Sequence, residues 1–179
     1  MQKEELLPRL AAARNGDLTA QEAIILCYQQ RIAGFIFSLT GETAVIEDLA
    51  QQVFLKMLRG LHQLKDSERF EAWLFRLARN VCLTHLRRER WRRRFVPFLS
   101  HHDTPAEEPP PAEESSRADW LRSAILSLPP EQRELLALSQ AGDLSYEDLA
   151  RLTGSSVSSV KSRLFRARKS LKAQKPHET

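Results

Sequence analysis

The sequence predicts an all-α protein of two small helical domains joined by a flexible acidic linker. Three observations carry that expectation. Apolar residues recur at helical spacing in one segment after another, and no stretch alternates like a half-buried strand. Gly and Pro are scarce outside Ser100 to Ser116, a proline-rich, acidic stretch with no large apolar residue, which cannot build a core. The charges are also segregated. Arg87 to Arg94 holds six Arg against one Glu, Asp103 to Asp119 holds six acids against Arg117 alone, and Lys161 to Lys175 holds seven cations and no acid. The net charge of +4 therefore conceals two basic surfaces separated by an acidic tether, the pattern of a chain that touches a polyanion twice.

Each element follows from its residues. Leu6 to Asn15 reads as a short helix ended by Asn15-Gly16-Asp17, and Thr19 to about Ser38 as a second carrying Ile24, Ile25, Tyr28, Ile32, Phe35 and Ile36. Thr40-Gly41 interrupts, and Thr43 to Leu61 follows with Leu49, Val53, Met57 and Leu58 inward. His62 to Glu68 reads as a polar loop, and a long helix then runs from Arg69 towards Arg90 with Phe70, Trp73, Leu74, Leu77 and Val81 on its buried side. Beyond the tether, Asp119 to Leu128 is a helix with Trp120, Leu121, Ile125 and Leu128. Pro129-Pro130 opens another, where proline is tolerated in the first turn, and Leu135, Leu136 and Leu138 bury it. The expected division is 1–98, a linker over 99–116, and 117–179.

Composition excludes several classes. The N-terminus lacks the apolar core of a signal peptide and no run of membrane-spanning length is expected, so neither export nor membrane insertion is, and the location is cytoplasmic. Cys27 and Cys82 fall in helical patterns without metal spacing and read as small core residues in a reducing compartment. His101-His102-Asp103 offers adjacent ligand types but no second cluster, so neither a metal nor another cofactor is expected. No Gly-rich phosphate loop, acid/base carboxylate pair or nucleophile motif suggests an enzyme. The chain ends shortly after its last helix, so no appended sensory domain is expected.

Leu144 to Ala173 reads as a helix-turn-helix. Ser145 caps its first helix with Asp148 three residues on, Leu149, Ala150 and Leu152 form the packing side, and Gly154 turns the chain. Ser155 or Ser156 then caps a longer helix whose stripe is Val157, Val160, Leu164, Ala167 and Leu171. Ser158, Ser162, Phe165, Arg166 and Lys169 cluster on the opposite side, with Lys161 at its edge. Hydroxyls, an aromatic and cations suit a DNA major groove, where Arg bridges guanine acceptors and an apolar ring meets the thymine methyl. An ordinary solvated basic face has no reason to carry Phe165.

A second surface lies on the long helix before the tether, where Arg76, Arg79, Leu83, Arg87 and Arg90 share one side, with Asn80 beside them and Trp91 inside the arginine run. Cations interleaved with an aromatic suit unpaired nucleic acid, in which phosphates meet Arg and bases stack on rings. Phe70 and Trp73, at the same spacing, read as core. Asp48, Gln51, Gln52 and Lys56 project from the Thr43–Leu61 helix and on their own form only a solvated face.

Four motifs then carry a resemblance. D-L-A-Q-Q-V-F-L-K-M (Asp48 to Met57) is similar to region 2.2 of extracytoplasmic-function sigma factors, the short promoter-recognition subunits of bacterial RNA polymerase. F-E-A-W-L-F-R-L-A-R-N (Phe70 to Asn80) resembles their regions 2.3 and 2.4, L-P-P-E-Q-R-E-L-L-A-L (Leu128 to Leu138) the start of region 4, and V-K-S-R-L-F-R-A-R (Val160 to Arg168) the recognition helix. The resemblance implies that Asp48, Gln51, Gln52 and Lys56 dock on the β′ clamp helices of core polymerase, with Gln52 where the family usually has Glu. It implies −10 recognition and melting by the first domain, with base capture in the His62–Glu68 loop and Arg76 and Asn80 matching positions beside it; Arg79, Arg87, Arg90 and Trp91 extend this −10 surface by their spacing on the same helix. By the same resemblance, Lys161, Ser162, Phe165 and Arg166 face the −35 duplex, and Ser158 and Lys169 join them by periodicity. The β flap and an anti-sigma factor are further implied partners. The rival reading, a conventional helix-turn-helix repressor, accounts for residues 144–173 but not for the arginine run or the acidic tether.

Overall fold

The computed structural model describes residues 3–95 and 112–174, which form eight α-helices and two 3-10 turns. The helices are α1 (Lys3–Arg14), α2 (Leu18–Thr40), α3 (Ile46–Gly60), α4 (Phe70–Phe95), α5 (Ala112–Ser127), α6 (Pro130–Ala141), α7 (Tyr146–Thr153) and α8 (Val157–Gln174). No strand occurs among the described residues, in agreement with the all-α expectation. The His101-His102-Asp103 group and most of the acidic stretch lie outside them, and α5 begins at Ala112, inside the segment the sequence assigns to the linker.

The first four helices pack around α2. Asp17 starts α2 by accepting a hydrogen bond from the Ala20 N–H at 3.0 Å, and Gly41, at φ 76°, ends it by donating its own N–H to Phe37 O. By length and composition α2 is apolar enough to cross a membrane, contrary to the sequence expectation that no run qualifies. Its placement gives that composition another cause. Ile24, Tyr28, Ile32, Phe35 and Ile36 are buried because α1, α3, α4 and α6 all pack on this one helix.

Helix α4 closes the core with Phe70, Leu74, Phe75, Ala78, Val81 and Cys82, all buried. Phe70 meets Tyr28 edge-on at 5.5 Å and Phe75 meets Phe35 at 5.6 Å, geometries in which the rim of one ring faces the π cloud of the other. Trp73 and Leu77, expected fully inside, are only half-buried. The helix also runs past Arg90 to Phe95, so the arginine run is helical; Arg is a good helix former, and Glu89 pairs with Arg92 at 2.7 Å. The expected polar loop is structured too. Leu61–Gln63 and Ser67–Arg69 are 3-10 turns, with buried Leu61 and Leu64 fastening the first and Asp66 accepting from the Glu68 N–H at 3.0 Å in the second.

Helices α5–α8 form the second unit. Trp120 donates its indole N–H to Gln174 O at 2.6 Å, tying α5 to the end of α8. Ala124 and Leu128 face inward while Leu121 is 44% exposed. The two units do not stand apart: α6 lies along α2, and Leu135, Leu138, Leu149, Val160 and Leu164 join one continuous apolar cluster with the N-terminal core. Burying Leu135 and Leu138 stabilises the structure by about 1.5–3 kcal/mol each, an upper estimate because the unfolded chain is itself partly collapsed.

Burial pushes the Cys82 thiol up to about 12, so little of its reactive thiolate forms near neutrality. Cys27 is half-buried. Iodoacetamide at pH 8 should therefore modify Cys27 in the native chain and reach Cys82 only after denaturation. Peptide mapping showing equal labelling of both in the folded protein would contradict the packing of α4.

Candidate nucleic-acid interface

The helix-turn-helix forms as its residues dictate. Ser145 Oγ accepts from the Asp148 N–H at 3.1 Å while Asp148 Oδ2 accepts from the Ser145 N–H at 3.2 Å, a reciprocal capping box. Gly154, at φ 65°, takes the left-handed conformation that only glycine adopts without strain. Of the two candidate caps for α8 it is Ser156 that acts, accepting from the Ser159 N–H at 3.2 Å. Val160, Leu164 and Ala167 then face the core.

The opposite side of α8 is open. Ser158, Lys161, Ser162, Phe165, Arg166 and Lys169 are all exposed, Phe165 at 68%. Arg166 donates to Ser162 Oγ at 3.3 Å, which steadies its guanidinium along the helix. Lys161 Nζ sits 5.4 Å over the Tyr146 ring. Tyr146, Arg168 and Lys172 border the same shallow groove as Phe165. Helical periodicity within α8 could not have found Tyr146, which belongs to α7 and arrives there only through the turn.

The α4 surface divides in two. Arg87, Arg90 and Trp91 are exposed on the distal half, Trp91 at 63%, together with Arg88, Arg92 and Arg94. A row of guanidinium groups around an exposed indole can meet phosphates and stack on a base. Nearer the start, Arg76 and Asn80 are exposed, whereas Arg79 forms an ion pair with Glu134 of α6. Phe70 is fully buried, as expected of core, and Trp73 packs beside it with ring centroids 6.0 Å apart. Gly60 admits that indole: a Cβ there would lie 3.0 Å from Trp73 Cζ2. Trp73 and Arg76 line a cleft of about 490 Å³ with Gln63, Lys65, Asp66 and Arg69. Asp148, Arg151 and Leu152 of α7 form its far wall.

On α3, Asp48, Gln51 and Lys56 are exposed and Gln52 is half-buried. Gln52 Nε2 donates to Asp48 Oδ2 at 2.8 Å, one helical turn away. A glutamate at position 52 would instead set two like charges at i,i+4, which is unfavourable, so Gln here stiffens the face it belongs to. Leu55, 51% exposed, lies on the same helix outside its buried set of Leu49, Val53, Phe54 and Met57. It adds an exposed apolar side chain that the charged pattern did not announce.

Comparison with known proteins agrees with this geometry. Residues 24–92 match the family model of sigma-70 region 2, and residues 118–171 that of sigma-70 region 4. The RNA polymerase sigma-H factor of Pseudomonas aeruginosa is 32% identical over 98% of this chain and 95% of its own length. The ECF RNA polymerase sigma factor EcfG of Rhodopseudomonas palustris is 32% identical over 83% of this chain and 81% of its own. Among solved structures, the sigma factor RpoE of Bartonella quintana, in complex with the anti-sigma factor NepR, superposes with a TM-score of 0.69 at 27% identity, covering 86% of this chain and 94% of that one. Two family models in the right order, relatives matching along nearly the whole length, and a helix-turn-helix with an open basic face converge: this chain belongs to the RNA polymerase sigma-70 family, as a sigma factor of the extracytoplasmic-function type.

Proposed function

We propose a division of labour within this sigma factor: residues 1–98 hold core polymerase and the −10 element, 99–116 act as tether, and 117–179 read the −35 duplex. The observation that carries it is the open face of α8, where an exposed phenyl ring stands among Ser162, Arg166 and Lys169 on the second helix of a helix-turn-helix. Ser158, Lys161, Ser162, Phe165, Arg166 and Lys169 meet the duplex. Arg76, Arg79, Asn80, Arg87, Arg90 and Trp91 serve the melted −10 strand, and a flipped base enters the cleft beside Trp73 and Arg76. The α3 face of Asp48, Gln51, Gln52 and Lys56, with Leu55, seats on the β′ clamp helices. The chain contributes recognition and no catalytic group of its own, and it works in the cytoplasm. An anti-sigma factor restrains it; the support is that the RpoE neighbour was solved with such a partner.

The test is core dependence. Each DNA surface is small, so the isolated chain should bind promoter DNA weakly and with steep salt dependence. Adding core polymerase should give tight promoter binding, transcription, and permanganate-reactive thymines near the start site. Tight, sequence-specific binding to a palindrome by the chain alone, as a dimer, would favour the repressor reading instead.

A further inference from the structure

Two cations on the open face of α8 are held in different directions. Arg166 donates to Ser162 Oγ at 3.3 Å, one turn back, so its guanidinium lies along its own helix. Lys161 instead reaches across the helix-turn-helix, with its Nζ 5.4 Å over the ring of Tyr146 on α7. That ring stands on a fixed base. Tyr146 opens α7 directly after Ser145, whose hydroxyl and N–H are both engaged by Asp148 in the capping box. The ring is 40% exposed. Among the described residues the Tyr146 hydroxyl has no hydrogen-bond partner and Lys161 has no carboxylate, so the contact between ring and ammonium is what restrains the lysine.

A lysine ammonium rides on a flexible four-carbon stem and takes its direction from whatever attracts it. The negative face of an aromatic ring is such a site. Arg168 and Lys169 border the same groove as Tyr146 and, as like charges, oppose a swing toward the far end of α8. At a duplex that direction matters. In a helix-turn-helix the second helix enters the major groove while the first crosses the sugar-phosphate backbone. An ammonium drawn from α8 toward the start of α7 therefore leaves the base edges and meets the strand. Arg166 and Ser162, held along α8, stay over the bases.

We propose that Tyr146 is a positioning residue that sets specificity: its ring parks Lys161 against α7, assigning that ammonium to a phosphate and withholding it from base readout. The inference rests on the reading of α8 as the −35 helix and deepens it, by stating which cation reads sequence and which does not. Without the ring, Lys161 is free to turn into the groove, where guanine O6 and N7 are the acceptors an ammonium meets.

The experiment uses the full chain in two measurements. In the free chain, the ring current of Tyr146 should shift the Lys161 ε-methylene protons upfield in proton–carbon NMR spectra. Tyr146→Phe should keep that shift and Tyr146→Leu should abolish it. The second measurement sequences the promoter duplexes, randomised in the upstream element, that are bound by holoenzyme assembled with core polymerase. Lys161→Met should weaken binding to all sequences alike and lower the salt slope by about 1, with base preferences unchanged. Tyr146→Leu should raise the preference for guanine at one position about two- to fivefold, the strength of an exposed cation–π contact. Adding Lys161→Met should remove that gain, and Tyr146→Phe should match wild type. Circular dichroism with helix content equal to wild type establishes that the variants fold.

No upfield shift in the wild-type chain would overturn the proposal. So would an altered base preference in Lys161→Met alone, an unaltered one in Tyr146→Leu, or a gain that survives the double substitution. Tyr146→Phe behaving as Tyr146→Leu on DNA would overturn it in favour of the hydroxyl. A wild-type holoenzyme with no upstream preference, the NMR shift intact, would overturn the reading of α8 and leave the contact standing.

Discussion

Phe75→Ala should lower the stability of the chain by about 3–5 kcal/mol, the cost of removing an aromatic ring from a core that closes only partly around the gap. Phe75 is fully buried and its ring stands edge-on to Phe35 at the α2–α4 contact. Single domains hold only about 5–15 kcal/mol, so the loss takes a large share. Urea unfolding followed by circular dichroism should show a lower midpoint with an unchanged slope, because the surface exposed on unfolding scarcely differs. A midpoint within experimental error of wild type would mean that α4 does not pack on α2 as described. The sequence pattern alone did not place Phe75 in the core; the structure does, and the variant measures the difference.

Arg166→Ala should remove about 1–3 kcal/mol of discrimination between the −35 element and scrambled sequence, if its guanidinium bridges two base acceptors. Lys169→Ala should weaken binding to all sequences alike and reduce the salt slope by about 1, as loss of a phosphate contact does. Phe165→Ala separates the two explanations for an exposed ring. At 68% exposure it packs little, so stability should stay within about 0.5 kcal/mol of wild type while promoter binding falls. Polymerase holoenzyme footprints on matched and scrambled upstream elements provide the measurement. Equal losses for Arg166→Ala and Lys169→Ala on both templates would show that this side of α8 does not face base edges.

Much of the second unit was legible because its signals are local. The capping box at Ser145 and Asp148, the left-handed Gly154 and the buried set of α8 each depend on residues within a turn or two of one another. The open face of α8 followed from the same periodicity, since a residue half a turn from Leu164 must point away from what Leu164 packs on. The limits of α4 were less legible. A run of arginines looks like the end of a helix by hydropathy, yet its residues are good helix formers and the helix continues to Phe95. The 3-10 turns between α3 and α4 looked like an unstructured polar loop because only Leu61 and Leu64, two small signals in a charged stretch, anchor them.

What the sequence by itself determined is the inventory of helices, the helix-turn-helix with its open basic face, and the charge map that marks two basic surfaces. Those depend on spacing along the chain and on which side chains carry charge, and neither needs a partner element to be read. What only the tertiary structure decided is how the two units meet. Glu71 lies in the first turn of α4, Glu134 within α6 and Gly142 just after it, and nothing in their local sequence signals a long-range contact. Their distances to Asp143 N, Arg79 and Glu71 exist only once α6 lies on α2, because residues 55 and 72 positions apart along the chain have no spacing rule to connect them.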